Sequence, residues 1–142
     1  MAENTTMHLD VVSAEKELFS GTISAVFAPA QMGDVGIYPR HTPLVTGLRP
    51  GELKIEIEGE EDQYLYVSGG ILEVQPGVVT VLSDTAIRAE DLDEAKAMEA
   101  KQRAEEALKD QQGDFDAAKA QAELVRAAEQ LRMIERMRKI RK

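Results

Sequence analysis
At 142 residues the chain has room for one ordinary domain with an appendage, or for two small units. Hydrophobic residues make up 43% and aromatics only 4%, so any core is aliphatic. Cysteine is absent, which excludes disulfides, thiolate catalysis and cysteine–metal sites, and a net charge of −9 argues against nucleic acid as the main partner of the body of the chain.

Residues 1–6 are polar and expected to fray. From Met7 onward, short β segments alternate with turn residues. Leu9 and Val11, then Leu18-Phe19, make a first pair with Ser20-Gly21 as its turn, and residues 23–29 follow as another strand. Residues 32–50 read as loop-rich, although they contain Ile37, Tyr38, Leu44, Val45 and Leu48. Leu53, Ile55 and Ile57 alternate with Lys54, Glu56 and Glu58, the cleanest half-buried strand in the chain. Gly59-Glu60-Glu61-Asp62 turns it into a strand over 64–67. Gly69-Gly70 interrupts the run before Ile71-Leu72-Glu73-Val74, Pro76-Gly77 is a strong turn signal, and residues 78–82 close the series. Many short strands with Gly/Pro turns and no intervening helix predict an antiparallel β-sandwich or barrel.

Near Arg88 the composition switches to Ala, Glu and Lys. The predicted division is a β domain over 1–88 and a helical hairpin over 89–142. Asp91 can cap the first helix with Glu94 reaching back to it, and no Gly or Pro follows until Gly113. Gly113-Asp114 is the predicted hinge, with Asp114 capping the second helix. Ala97, Ala100, Ala104 and Ala107 form a seam on the first helix. Ala117, Ala120, Leu124, Ala127, Leu131 and Ile134 form one on the second. Each buried methyl contributes about 0.8 kcal/mol, against roughly 1.5–3 for a Leu or Ile side chain. The hairpin is therefore easily made and lightly held, either a moving part or a permanently packed pair.

The end of the second helix is basic. Residues 126–142 carry a net +5, leaving −14 on residues 1–125. Complementing the helix dipole needs one or two cations, not six in the last eleven residues, so the excess points to an acidic partner.

Signals for chemistry are sparse, and neither a catalytic nor a metal site is expected. His8 falls in a strand and reads as half-exposed. His41, within Pro39-Arg40-His41-Thr42-Pro43, is either a turn-stabilising hydrogen-bonder or a contact residue. Gly69-Gly70 lacks phosphate-loop spacing and reads as backbone geometry. The N-terminus shows no secretory pattern, and no apolar stretch approaches the roughly 20 residues that span a bilayer.

Several long motifs stand in order along the chain. They are Gly33-Asp34-Val35-Gly36-Ile37-Tyr38-Pro39-Arg40-His41-Thr42-Pro43-Leu44, then Leu48-Arg49-Pro50-Gly51, then Ser68-Gly69-Gly70-Ile71-Leu72-Glu73-Val74-Gln75-Pro76-Gly77. Val79-Thr80-Val81-Leu82, Asp84-Thr85-Ala86-Ile87-Arg88, Asp91-Leu92-Asp93-Glu94-Ala95 and Leu131-Arg132-Met133-Ile134-Glu135 follow. Together they closely resemble the epsilon subunits of bacterial rotary (F-type) ATP synthases, over nearly the whole chain. The resemblance implies an N-terminal antiparallel β-sandwich of about ten strands, followed by a C-terminal antiparallel two-helix hairpin. It also implies a non-catalytic place on the central rotor of a proton-translocating ATP synthase, at the cytoplasmic face of the bacterial plasma membrane. There the subunit clasps the gamma subunit and rests on the membrane c-ring, so membrane association is indirect. Asp34 matches the family's ring contact, with His41 near it. In the family the hairpin can extend into the catalytic head, where its basic end meets acidic segments of the alpha and beta subunits and blocks ATP hydrolysis. That assigns the inhibitory contact to Arg126, Arg132, Arg136, Arg138 and Lys139.

One departure stands out. Some family members bind ATP at the hairpin through a Leu-Asp-x-x-Arg-Ala motif, and here Leu92-Asp93-Glu94-Ala95-Lys96-Ala97 has Lys in place of Arg. Lys keeps the charge but loses the planar fork that grips phosphate. ATP at Asp93, Lys96 and Arg126 is therefore expected to bind weakly or not at all, and no cofactor is expected. The alternative reading is an adaptor whose basic arm docks on nucleic acid or anionic membrane, although residues 132–142 lack the aromatics that usually accompany nucleic-acid binding.

Overall fold
The computed structural model describes residues 5–109 and 117–140. The chain divides into two compact units, Met1–Ala89 and Glu90–Lys142.

The first unit is a sandwich of eight strands. Strand β1 (Met7–Ser13) turns Met7, Leu9 and Val11 inward and His8, Asp10 and Val12 outward, the period-two pattern of a strand with one dry face. Its partner β2 (Glu17–Ile23) pairs antiparallel with it, from Met7 opposite Ile23 to Val12 opposite Glu17. The turn lies at 13–16, not at the expected Ser20-Gly21. Ser13 Oγ accepts from the backbone N–H groups of Glu15 (3.3 Å) and Lys16 (3.2 Å), so a side chain mimics the backbone turn. Ser20 and Gly21 instead lie inside β2, opposite Asp10 and Leu9.

The region expected to be loop-rich contains a hairpin of β3 (Ala25–Ala30) and β4 (Gly33–Ile37). Two of the five β4 residues are glycines, which hides the strand from a hydrophobic pattern. Gly36 is required by packing: a Cβ there would stand 2.9 Å from the Phe27 ring. That ring in turn meets Tyr38 edge to face, centroids 5.8 Å apart.

Strands β5 (Leu44–Glu56) and β6 (Gln63–Gln75) are each thirteen residues long and serve both layers. Their ladder runs from Leu44 opposite Val74 to Ile55 opposite Gln63, and skips Arg49 and Gly69. Beyond that bend, 71–75 of β6 pair with β7 (Val78–Ser83), whereas 65–67 pair with β8 (Ala86–Arg88). Gly70 sits at the bend with φ +135°, and a Cβ on it would fall 2.0 Å from the Leu82 carbonyl oxygen, so no other residue fits. Ser83, buried, fixes the same corner by placing its hydroxyl within 2.5 Å of the Gly69 carbonyl and 2.9 Å of the Thr85 carbonyl. Each long strand bends through both layers, so eight strands do the work of the ten implied by the resemblance. One pair is parallel rather than antiparallel, β1 with β7, which makes the sheet mixed.

Leu9, Val11, Ile23, Val26, Ile37, Leu53, Ile55, Leu65, Val67, Leu72, Val79 and Val81 fill the space between the layers, an aliphatic core as the composition requires. Each such side chain contributes about 1.5–3 kcal/mol on burial, an upper bound given residual compactness of the unfolded chain.

Residues 89–91, at the boundary of the two units, form a 3-10 turn, and in the second unit α1 (Glu94–Lys109) and α2 (Ala117–Ile140) pack against each other. The 3-10 turn displaces the expected cap at Asp91. Asp93 caps α1 instead, its Oδ1 accepting from the Lys96 N–H at 3.2 Å while its carbonyl accepts from Ala97 at 3.0 Å. Ala97, Ala104, Ala120 and Ala127 are buried as the seam predicts, with Ala100, Ala107, Leu124, Leu131 and Ile134 partly so. Ala117 is exposed, and Met133 and Met137 are buried beyond the predicted seam. The predicted hinge at Gly113-Asp114 lies outside the described residues.

Candidate functional site
Three surfaces of the two units are candidates, and two of them carry the sequence-predicted residues. The first is the β3–β4 hairpin. Asp34 is the second residue of β4, its side chain 83% exposed, and its Oδ1 receives the Arg49 guanidinium at 2.7 Å. Arg49 Nε also donates to the Ala30 carbonyl at 2.8 Å, so one arginine ties β5 to the hairpin and orients the carboxylate. At the hairpin tip Met32 is 98% exposed, a large apolar side chain that the sequence reading passed over as loop.

His41 lies in the connection from β4 to β5. Its backbone N–H donates to the Tyr38 carbonyl at 3.2 Å, and its Nδ1 stands 2.7 Å from the Thr42 carbonyl, which fixes the proton on Nδ1. Arg40 beside it holds a left-handed backbone, φ +71°, sparsely populated for a residue with a side chain. These residues border a cleft of about 240 Å³ closed by Thr6, Gln75 and Gly77. Asp34 and His41 are not brought together. Asp34 lies near the start of β4 and His41 follows its far end, and the four residues to Tyr38 alone span roughly 13 Å of extended chain.

The second surface is the outer face of β5, β6, β7 and β1, which the sequence reading missed. Gly47, Ile71, Leu82 and Val12 lie side by side in register, with Val45, Glu73, Thr80 and Asp10 in the next row on the same side. Val45 (68%), Ile71 (48%) and Leu82 (49%) are exposed, forming an apolar patch where solvated strands usually carry polar residues. Apolar residues at strand positions read as core, so only pairing register reveals them as outward. At the margin of the patch Ser20 Oγ donates to Asp10 Oδ1 at 2.7 Å, and His8 Nε2 approaches the same oxygen at 2.9 Å. The Ser20 hydrogen bond, then that of His8, hold the Asp10 carboxyl below the usual aspartate range. Ser20 and Asp10 both meet His8 through Nε2, so the trio is not arranged as a hydrolytic triad.

The third surface is α2. Arg132, Arg136 and Lys139 recur at four and three residues and share one exposed stripe, with Arg132 held by Glu129 at 3.2 Å. Arg126 is also exposed. Arg138 lies off that stripe, on the side turned toward α1, where it pairs with Glu94. The five predicted cations therefore divide into a stripe of three, Arg126 apart from it, and Arg138 engaged across the hairpin. Of the three residues considered for ATP, Asp93 and Lys96 stand together at the start of α1 and Arg126 stands apart. Asp93 is occupied as the α1 cap, and Arg126 stands twelve residues from Arg138, roughly 18 Å along α2 from the end that faces the start of α1. Among the described residues no group of three or more His, Asp or Glu side chains is placed to hold a metal ion.

Comparison with known proteins gives a consistent result. The β-sandwich domain of ATP synthase delta/epsilon chains matches residues 6–89, and the long α-helix domain of the same chains matches residues 90–135. The ATP synthase epsilon chain of Nitrosococcus oceani is 64% identical over 135 residues, covering 94% of this chain and 96% of that one. That of Thioalkalivibrio sulfidiphilus is 57% identical with the same coverage. The fold is shared with a chain in the Euglena gracilis mitochondrial ATP synthase OSCP/F1/c-ring structure, at a TM-score of 0.77 and 21% identity over 94% of this chain and 81% of that one. A chain of the Tetrahymena thermophila mitochondrial ATP synthase central stalk and c-ring aligns at a TM-score of 0.58 and 16% identity, over 92% and 95% of the two chains. The chain thus belongs to the ATP synthase delta/epsilon family, as an epsilon chain.

Proposed function
We propose that this subunit is a non-catalytic element of the central rotor that couples the catalytic head to the c-ring and restrains ATP hydrolysis through its hairpin. The observation that carries the reading is the exposed Arg132, Arg136 and Lys139 stripe on a helical pair whose buried residues are the four alanines Ala97, Ala104, Ala120 and Ala127 with Met133 and Met137. Such a helix loses little by leaving its partner and presents positive charge to acidic segments of the alpha and beta subunits. Arg126 and, once released, Arg138 add to that contact. The sandwich supplies the anchoring. The oriented Asp34 carboxylate and the Met32 tip suit a polar loop of the c-ring, with His41 at the far end of β4 as a separate contact. The Val45, Ile71 and Leu82 patch suits an apolar face of the gamma subunit.

Membrane association is then indirect, at the cytoplasmic face of the bacterial membrane. No helix among the described residues is long and apolar enough to cross it. ATP is at most a weak ligand, because Asp93 is used as a cap and Arg126 is distant.

Ending the chain after Arg88 tests the division of labour. Rotor assembly should persist while ATP hydrolysis rises. Loss of assembly, or unchanged hydrolysis in an assembled motor, contradicts it. A gel shift and liposome flotation at low salt address the adaptor alternative, for which strong salt-dependent binding would speak.

A further inference from the structure
We infer that the ion pair between Glu94 and Arg138 is a clasp that keeps the helical hairpin shut, so that opening it releases Arg138 for an acidic partner. The inference rests on the proposed role of the hairpin as a moving part. Glu94 is the first residue of α1, and Arg138 stands in the last turn of α2. Forty-four residues apart in sequence, they meet because the helices run antiparallel. One end of the hairpin is joined by the chain from Lys109 to Ala117, and toward the other this pair ties the helices where Met133 and Met137 are also buried. Between the two ends lie Ala97, Ala104, Ala120 and Ala127, which bury little.

Each partner is also favoured at its own helix end. A carboxylate complements the positive N-terminus of α1, and a guanidinium complements the negative C-terminus of α2. The pair is neither buried nor dry, the Arg138 side chain being 62% exposed and Glu94 39%. That exposure sets its strength. A solvent-facing pair changes an equilibrium by up to about fivefold and is screened by salt. It biases a lightly held hairpin without locking it. Arg138 also differs in kind from the stripe. Arg132 is held by Glu129 within its own helix, whereas Arg138 is held across the hairpin and must let go of Glu94 to reach a partner. An anionic partner and Glu94 therefore compete for one guanidinium, and that competition ties the opening of the hairpin to capture of its target.

The chain has no cysteine, so two can be introduced uniquely, Glu99→Cys on α1 and Glu135→Cys on α2, both at exposed positions. Spin labels on this pair in the full-length subunit report the interhelix distance. Glu94→Gln and Arg138→Gln should each raise the separated population by up to about fivefold at low salt. The difference from the parent should vanish near 1 M salt, where the screening length is about 3 Å. The double reversal Glu94→Arg with Arg138→Glu should recover more of the closed form than either reversal alone. A distance distribution indifferent to both substitutions and to salt overturns the clasp. Hydrolysis by motors carrying Glu94→Gln reads the other question. If the hairpin opens more and hydrolysis does not change, the clasp stands and the inhibitory role fails.

Discussion
Leu53 and Ile55 in the sandwich are as completely buried as Ala97 and Ala104 in the hairpin, all at 1% exposure or less. Yet the two regions are held together very differently. Fractional burial says that water is excluded; it does not say how much surface was removed from water. A fully buried leucine withdraws several methyl and methylene groups, an alanine only one, and the stabilisation follows the area. The sandwich also closes its layers with long ladders of backbone hydrogen bonds between distant segments, and a glycine corner and a buried serine fix its bend. The hairpin has backbone bonds within each helix, an alanine seam, two buried methionines near one end and an exposed ion pair. A sandwich held by large aliphatic side chains and a helical pair held mostly by small ones is what this contrast amounts to.

Substitutions matched across the two regions sharpen the contrast. The largest effect is expected from Leu53→Ala, which opens a cavity in the sandwich core and should cost about 2–5 kcal/mol, read from denaturant unfolding of the isolated subunit. Ala104→Gly, at an equally buried site, should cost only about 1–2 kcal/mol, through lost helix propensity and one lost methyl. Its effect should appear as faster opening of the hairpin, with the sandwich transition unmoved. If the alanine site proved as costly as the leucine site, the distinction between the regions would collapse. Asp93→Ala, which removes the α1 cap, is expected to cost about 1 kcal/mol and to fray the first turn, measurable as lost helical circular dichroism.

The smallest effect concerns acid. The folded state lowers the Asp10 carboxyl, through Ser20 first and His8 second. Its stabilisation is therefore present above the unfolded aspartate value of about 3.9, and is lost as pH falls through the lower folded value. Asp10→Asn should flatten that part of the acid limb of the sandwich's stability curve and leave the hairpin's pH response as it was.

Much of this contrast could be read from sequence, because both regions announce themselves by period. Alternation at 53–57 gave the central strand, Gly59–Asp62 and Pro76-Gly77 gave turns, and alanines three and four apart gave the helical seam. What escaped depended on contacts between distant residues. Strand β4 is hidden by Gly33 and Gly36, whose place in a sheet makes sense only once Phe27 lies across Gly36. The turn at 13–16 was missed because Ser20-Gly21 carries the stronger local signal. Ile71 and Leu82 fall in predicted strands, but only their registers place them on the outward face. Of the site residues, the sequence could nominate Asp34 and the basic end of α2, but not Arg49 behind Asp34 or Glu94 across from Arg138, pairs 15 and 44 residues apart. That Arg138 alone of the five nominated cations pairs with Glu94 across the hairpin is likewise a product of the antiparallel packing.

Amide hydrogen exchange on the full-length subunit tests the difference most directly. Slow, global protection is expected for the central β5 and β6 amides, around Leu53, Ile55 and Leu65. Helix amides near Ala100–Ala104 and Ala120–Ala127 should exchange through a cheaper local opening, accelerated by salt. Helix protection equal to that of the sheet, and indifferent to salt, would mean that the hairpin is a fixed part of the fold and that its alanine seam serves only packing.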